Sequence, residues 1–150
     1  LRVYISKDKK KKIEKSVKNL INEENKFGVK EFKTYQKFAE SVYNIKKNVI
    51  TNINKLKENN KKIIAFGSPA KATTALNFFG ISDQIEFIVE DNKLKQGKYV
   101  PGVKIPIKSK NNIKEKNPVI LVLAWNFFSE IKRNNAKLTD NFINIKNLEK

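Results

Sequence analysis

Cysteine, histidine and methionine are all missing from this chain, and tryptophan occurs once. Without cysteine, neither a disulfide nor a thiolate metal site can form. Without histidine, the commonest general base and the commonest metal ligand are lost together. Long apolar runs are missing too: none approaches the length that crosses a bilayer, and the N-terminus has no signal-peptide pattern. A cytoplasmic protein with no membrane partner is therefore expected. With no methionine even at position 1, the opening Leu1-Arg2-Val3-Tyr4-Ile5 reads as a strand whose partners lie upstream. We expect a piece cut from a longer protein.

Arginine is scarce, and that scarcity governs how the net charge of +17 is read. Only Arg2 and Arg133 are arginines; the rest of the basic residues are lysine. Base readout and bidentate phosphate contacts favour arginine. Lysine and asparagine are in excess along the whole chain, a uniform bias that suits an AT-rich coding sequence better than a binding footprint. Loose binding to polyanions at low salt follows, but no specific nucleic-acid partner is expected. The 39% apolar content of the 150 residues suffices for one core of ordinary size, with a helical appendage.

The chain is organised around residues 63–79. Ile63-Ile64-Ala65-Phe66 is a short apolar run stopping at Gly67, the pattern of a buried strand. Ser68-Pro69 cannot continue a ladder and suits a turn into a helix. Ala70 to Phe79 then places Ala72, Ala75, Leu76 and Phe79 at three-and-four spacing. Strand, glycine turn and helix open a doubly wound nucleotide-binding fold. Gly67 lets the backbone approach a ligand, and the N–H groups at the helix start favour an anion. Lys71, Thr73 and Thr74 add an ammonium and two hydroxyls, which suit a phosphate or diphosphate. The turn is neither a Walker A loop nor GxGxxG, since Pro69 and Ala72 stand where further glycines belong. The alternative is an ordinary strand–turn–helix unit with Lys71 simply solvated.

On either side, the elements follow from periodicity. Ile13, Val17, Leu20 and Ile21 predict a short amphipathic helix within residues 6–25, broken at Phe27-Gly28, with Lys9 to Lys12 as a solvated run. Tyr35, Val42, Val49 and Leu56 recur every seventh residue, widened by Phe32, Phe38, Ala39, Ile45 and Ile53. They predict one long helix over 29–59, closed by Glu58-Asn59-Asn60-Lys61. Ile85 to Val89 is a second strand, ending in Glu90-Asp91-Asn92. Asp91 stands where a dinucleotide-binding fold places the acid that holds a ribose hydroxyl, unless it merely ends the strand. Residues 95–102 form a glycine- and proline-bearing loop, and Pro106 marks 103–107 as an edge or no strand. A small helix is expected over Ile113 to Lys116. Val119 to Ala124 is a central strand, with Trp125 and Asn126 at the end where open α/β sheets bind ligands. Phe127 to Asn134 reads as a helix and Phe142 to Ile145 as the last strand.

Several of these stretches together resemble one family. They are Phe66-Gly67-Ser68-Pro69-Ala70-Lys71-Ala72, Asn77-Phe78-Phe79-Gly80-Ile81 and Val89-Glu90-Asp91-Asn92, followed by Lys95-Gln96-Gly97-Lys98-Tyr99-Val100-Pro101-Gly102, Ile105-Pro106-Ile107 and Leu123-Ala124-Trp125-Asn126. In that order they look like the C-terminal domain of SAM-dependent sugar C-methyltransferases, closely over Ile63 to Asn126 and loosely elsewhere. The resemblance implies an enzyme that methylates a ring carbon of a keto-deoxyhexose carried on a nucleoside diphosphate, typically dTDP. It also implies an upstream zinc module and an upstream SAM-binding domain holding the catalytic His, Tyr and Glu. Zinc and S-adenosylmethionine are then expected in the full-length protein, and neither in this chain, which holds no catalytic residue. Ala72 departs from the family pattern, in which many relatives carry glycine.

The expected fold is α/β: a Rossmann-like three-layer domain with a mostly parallel sheet, preceded by helices. Residues 1–60 are expected as an arm and helical connector, and 61–150 as the nucleotide-sugar-binding domain. The expected site comprises Gly67, Ser68, Pro69, Ala70, Lys71, Thr73, Asp91, Trp125 and Asn126. Two other readings stand beside it. One is a stand-alone NAD- or nucleotide-binding domain, against which the missing glycines count. The other is a lysine-rich nucleic-acid-associated module, argued from charge alone.

Overall fold

Ile63–Phe66 forms β1, and all four of its residues are buried, because the strand is hydrogen-bonded on both sides and covered on both faces. The computed structural model describes residues 2–58 and 62–150. Its sheet has five strands in the order β3-β2-β1-β4-β5, every neighbouring pair parallel. These are β2 (Ile85–Val89), β3 (Ile107–Lys108), β4 (Val119–Val122) and β5 (Phe142–Asn144). Parallel sheets are covered on both faces, so their central strands read as continuous apolar runs. The three expected central strands are all there, though β4 and β5 end before the expected Ala124 and Ile145. Leu123 still donates its amide to the Phe66 carbonyl at 2.9 Å.

Alternation along the strands sends residues to two apolar layers. Ile63 and Ala65 join Val49, Ile53, Leu76, Phe79 and Leu121 on one face. Ile64 and Phe66 join Phe87, Val89, Ile120 and Val122 on the other, with Phe128 and Ile131 against them. The first layer is closed by α2 (Phe32–Glu58) and α3 (Ala70–Phe79), the second by α4 (Phe128–Asn134). This is the expected α/β/α sandwich.

The chain divides into two compact units, Leu1–Val42 and Tyr43–Lys150. In the first, α1 (Lys15–Phe27) has no buried residue and ends at Gly28. Arg2 to Ile5 forms no strand, and Val3, Tyr4 and Ile5 are exposed; Leu1 lies outside the described residues. The expected long helix is α2, whose apolar stripe is divided: Phe32, Tyr35 and Phe38 are exposed, whereas Val49 and Ile53 are fully buried. Of its expected closing residues, Asn59 to Lys61 lie outside the described ones. In the second unit, Asn48 Nδ2 donates to the Glu149 carbonyl and Asn52 Nδ2 to that of Leu148, both at 3.1 Å.

One expected element is displaced. The helix expected over Ile113 to Lys116 is instead a 3₁₀ turn at Lys110–Asn112. Ser109 sets it, its hydroxyl 3.3 Å from Asn112 Oδ1 and its carbonyl accepting from the Asn112 amide. Ile113 is drawn away to pack beneath the sheet. No described helix is long and apolar enough to cross a membrane.

The sharpest backbone constraint is at Gly67, with φ +86°, where a Cβ would stand 2.8 Å from the Cβ of Ala124. Gly80, which ends α3 at φ +71°, has open space around it. Gly80→Ala therefore carries only the backbone cost, about 1–2 kcal/mol. Gly67→Ala must also displace the end of β4, for a total of roughly 2–4 kcal/mol. Urea-unfolding midpoints of the two variants measure the difference, and equal midpoints would show that β4 yields freely.

Candidate functional site

Because every strand is parallel, the residues that follow β1, β2, β4 and β5 share one edge of the sheet. β1 leads to β2 on one side, while β4 lies on its other side, so the order of the chain reverses between β1 and β4. Ligands of open α/β sheets bind at such a reversal. Gly67 and Ala124 face each other there, followed by Ser68-Pro69 on one side and Trp125-Asn126 on the other.

The glycine turn is already engaged with an acid from β2. The Ser68 amide and hydroxyl both donate to Glu90 Oε2, at 3.0 and 2.7 Å. The Asn92 amide donates to Glu90 Oε1 at 3.1 Å. Lys95 Nζ lies 2.9 Å from the Ser68 carbonyl and 3.6 Å from Glu90 Oε2, and Gln96 Nε2 donates to the Glu90 carbonyl at 2.7 Å. The Ser68 amide, expected to be free for an anion, thus holds a carboxylate of the same chain. Burial pushes the Glu90 carboxyl up. The Ser68 hydroxyl, the Asn92 and Ser68 amides and the Lys95 charge together outweigh it and hold the group below the ordinary glutamate range.

Beside this corner, Lys71 Nζ sits 3.9 Å from the centre of the Trp125 ring. Pro69 precedes α3 without a side-chain cap. The amides of Ala70 and Lys71 have no acceptor within the helix, as in any first turn. Of the expected residues, the fold therefore brings Lys71 together with Trp125 from distant parts of the chain. Ala70 opens α3 exposed, and Thr73 is half-buried one turn along, its carbonyl accepting from Asn77. Asp91 and Asn126 are exposed, and neither side chain makes a hydrogen bond or ion pair among the described residues.

Sequence reasoning passed over Glu90, Lys95 and Gln96. Alternation in β2 carries the signal for Glu90: Ile88 belongs to the layer under α3 and Val89 to the opposite one. The next residue, Glu90, returns to the side of α3 and of the glycine turn. The loop after β2 is also tied to α3, since Asn77 Nδ2 donates to the Pro101 carbonyl at 3.0 Å. A Cβ on Gly102 would collide with the Asn77 side chain.

A recess of about 520 Å³ elsewhere on the sheet is lined by Glu86, Phe87, Lys108, Asn112, Lys114 and Glu115. Its acids are spent on Lys62, 3.0 Å from Glu86 and 3.2 Å from Glu115. It offers a ligand little beyond solvated charge.

The engagement of Glu90 has a pH signature. Its folded carboxyl titrates below the unfolded one, so the stability it contributes is present above the ordinary glutamate range and is lost as pH falls through the folded value. Glu90→Gln keeps the shape and removes the charge. It is expected to cost about 1–2 kcal/mol near neutral pH, a gap that narrows by about pH 3. Urea unfolding at both values measures it; a gap independent of pH would mean that the charge is not engaged.

Two comparisons with known proteins bear on this geometry. Residues 1–144 match the family model described as the C-methyltransferase C-terminal domain. Over 128 residues the chain is 30% identical to the C-methyltransferase NovU of Streptomyces niveus, covering 84% of this chain and 30% of that protein. The chain thus spans less than a third of that relative's length. With the match running almost end to end, through the glycine turn, the brace after β2 and the Trp125 corner, this chain belongs to the C-methyltransferase C-terminal domain family.

Proposed function

We propose that this chain is the nucleotide-sugar-binding domain of a SAM-dependent sugar C-methyltransferase, and that its ligand is a dTDP-linked keto-deoxyhexose. The observation that carries the reading is the Lys71 ammonium over Trp125 at the strand-order reversal. A fixed cation beside a flat aromatic ring suits a ligand that is an anion at one end and a ring at the other. Ala70 and Lys71 offer the diphosphate their first-turn amides. Thr73 lies one turn further along α3, Asp91 is available to a hydroxyl of the nucleotide sugar, and Asn126 to the transferred sugar.

The chemistry itself belongs to other parts of such an enzyme. Forming a carbanion beside a keto group needs a positioned base, and there is no histidine here to supply one. Zinc does not fit these residues, because neither cysteine nor histidine is present. S-adenosylmethionine fits poorly as well, since the turn's hydroxyl and the Glu90 carboxylate are spent on each other. A SAM-binding domain of the same polypeptide is the partner this reading requires. The Glu90 contact with the Ser68 amide also argues against a stand-alone NAD domain, whose diphosphate would need that amide.

The test is a titration with dTDP, NAD and inorganic phosphate at about physiological ionic strength, where loose attraction to the lysines is screened. We expect dTDP to bind best and to shift the backbone amides of residues 67–73. Lys71→Ala removes a charge-assisted contact worth about 1.5–3 kcal/mol and is expected to weaken binding roughly ten- to a hundredfold. No preference for dTDP over phosphate, or shifts confined elsewhere, would sink the assignment. The chain alone is expected to turn over no S-adenosylmethionine.

A further inference from the structure

Lys71 is not the only ammonium at Trp125. Lys146, in the 3₁₀ turn that follows β5, places its Nζ 5.8 Å from the centre of the same ring. The turn is fixed: Asn144 Oδ1 accepts the Lys146 amide at 3.1 Å, and Ile145 and Leu148 on either side are buried. Two residues far apart in sequence thus deliver positive charge to one indole from different strand ends.

Neither ammonium has a carboxylate partner among the described residues. The nearby acid, Glu90, is taken by Ser68 and Lys95. From their distances to the ring centre, the two nitrogens stand at most about 10 Å apart. Like charges brought this close to one ring repel each other. An anion between them would relieve that repulsion. With a charge-assisted bond of roughly 2.8 Å at each end, it must reach both nitrogens around the edge of the indole, because their widest separation would put the ring itself between them. A diphosphate carries charged oxygens on two linked phosphorus atoms and can bend around that edge; a single phosphate group is more compact.

We propose that Lys146 is a second binding residue of this site, and that Lys71 and Lys146 grip the two phosphates of a nucleoside diphosphate across Trp125. The inference rests on the nucleotide-sugar reading above and adds a residue and a geometry to it. It makes the diphosphate site a joint product of the ends of β1 and β5, with Trp125 at the end of β4 between them.

Trp125 is the chain's one tryptophan, so intrinsic fluorescence reports directly on the grip. The experiment titrates dTDP and inorganic phosphate into the wild-type chain and into Lys71→Ala, Lys146→Gln, Lys146→Arg and Lys116→Gln, at about 0.15 M salt. Lys116 is exposed and precedes β4, at the other edge of the sheet, and so controls for loss of one charge. Lys146→Gln is expected to weaken dTDP binding roughly tenfold and to leave phosphate binding nearly unchanged. Lys146→Arg is expected to stay within about threefold of wild type, since it keeps the charge. If the wild type shows no saturable dTDP response, the nucleotide-sugar reading falls and this proposal with it. If the wild type binds and Lys71→Ala weakens it, but Lys146→Gln matches Lys116→Gln, the role of Lys146 alone is overturned.

Discussion

The contact between Gly67 and Ala124 is the constraint on which the rest depends. Parallel strands β1 and β4 must run side by side to their ends, and just there the chain must part in two directions. A side chain at position 67 would wedge the ends apart, because its Cβ would meet that of Ala124 at 2.8 Å. With none present, Ser68 stays close to the sheet and within reach of Glu90 from the neighbouring strand. Trp125 turns back from Ala124 toward α3, where Lys71 meets it. The candidate site is thus a by-product of how closely two strand ends approach.

The family's motifs acquire physical meaning in that frame. Lys95 and Gln96 fix the turn after β2 by gripping Ser68 and Glu90. Asn77 and the Pro101-Gly102 pair lock the following loop to α3 by a carboxamide that leaves no room for a Cβ. Residues separated in sequence therefore brace the same carboxyl edge of the sheet. A rigid edge lowers the entropy lost when a ligand is ordered on it.

Much of the architecture was legible in the sequence, for reasons that mark where legibility ends. The strands β1, β2 and β4 stand out because strands buried on both faces are unbroken apolar runs. The two residues of β3 carry too little pattern, and only Pro106 hinted at an edge. The misplaced turn near residue 113 was a competition between apolar spacing and the hydrogen bond of Ser109, which local composition does not weigh. The long helix was readable as a stripe, but the stripe does not say where it stops being buried; Tyr35 and Val49 share a heptad position with opposite exposure. At the site, Lys71 and Trp125 were legible singly from fold logic. The contact of Glu90 with Ser68 and the approach of Lys146 to Trp125 were not, since both depend on partners that follow other strands.

The carboxamides of Asn48 and Asn52 tie α2 to the last three residues of the chain, across a separation of 101 residues in the first case. Contacts so distant in sequence form late, because the loop they close must be ordered first. On a ribosome adding about 5–20 residues per second, α2 is made roughly 5 to 20 seconds before Ile145 and Leu148, which complete its apolar layer. Until then the apolar layer over Val49 and Ile53 stays incomplete. The lysines along α2 then disfavour pairing with another half-made chain, because like charges repel.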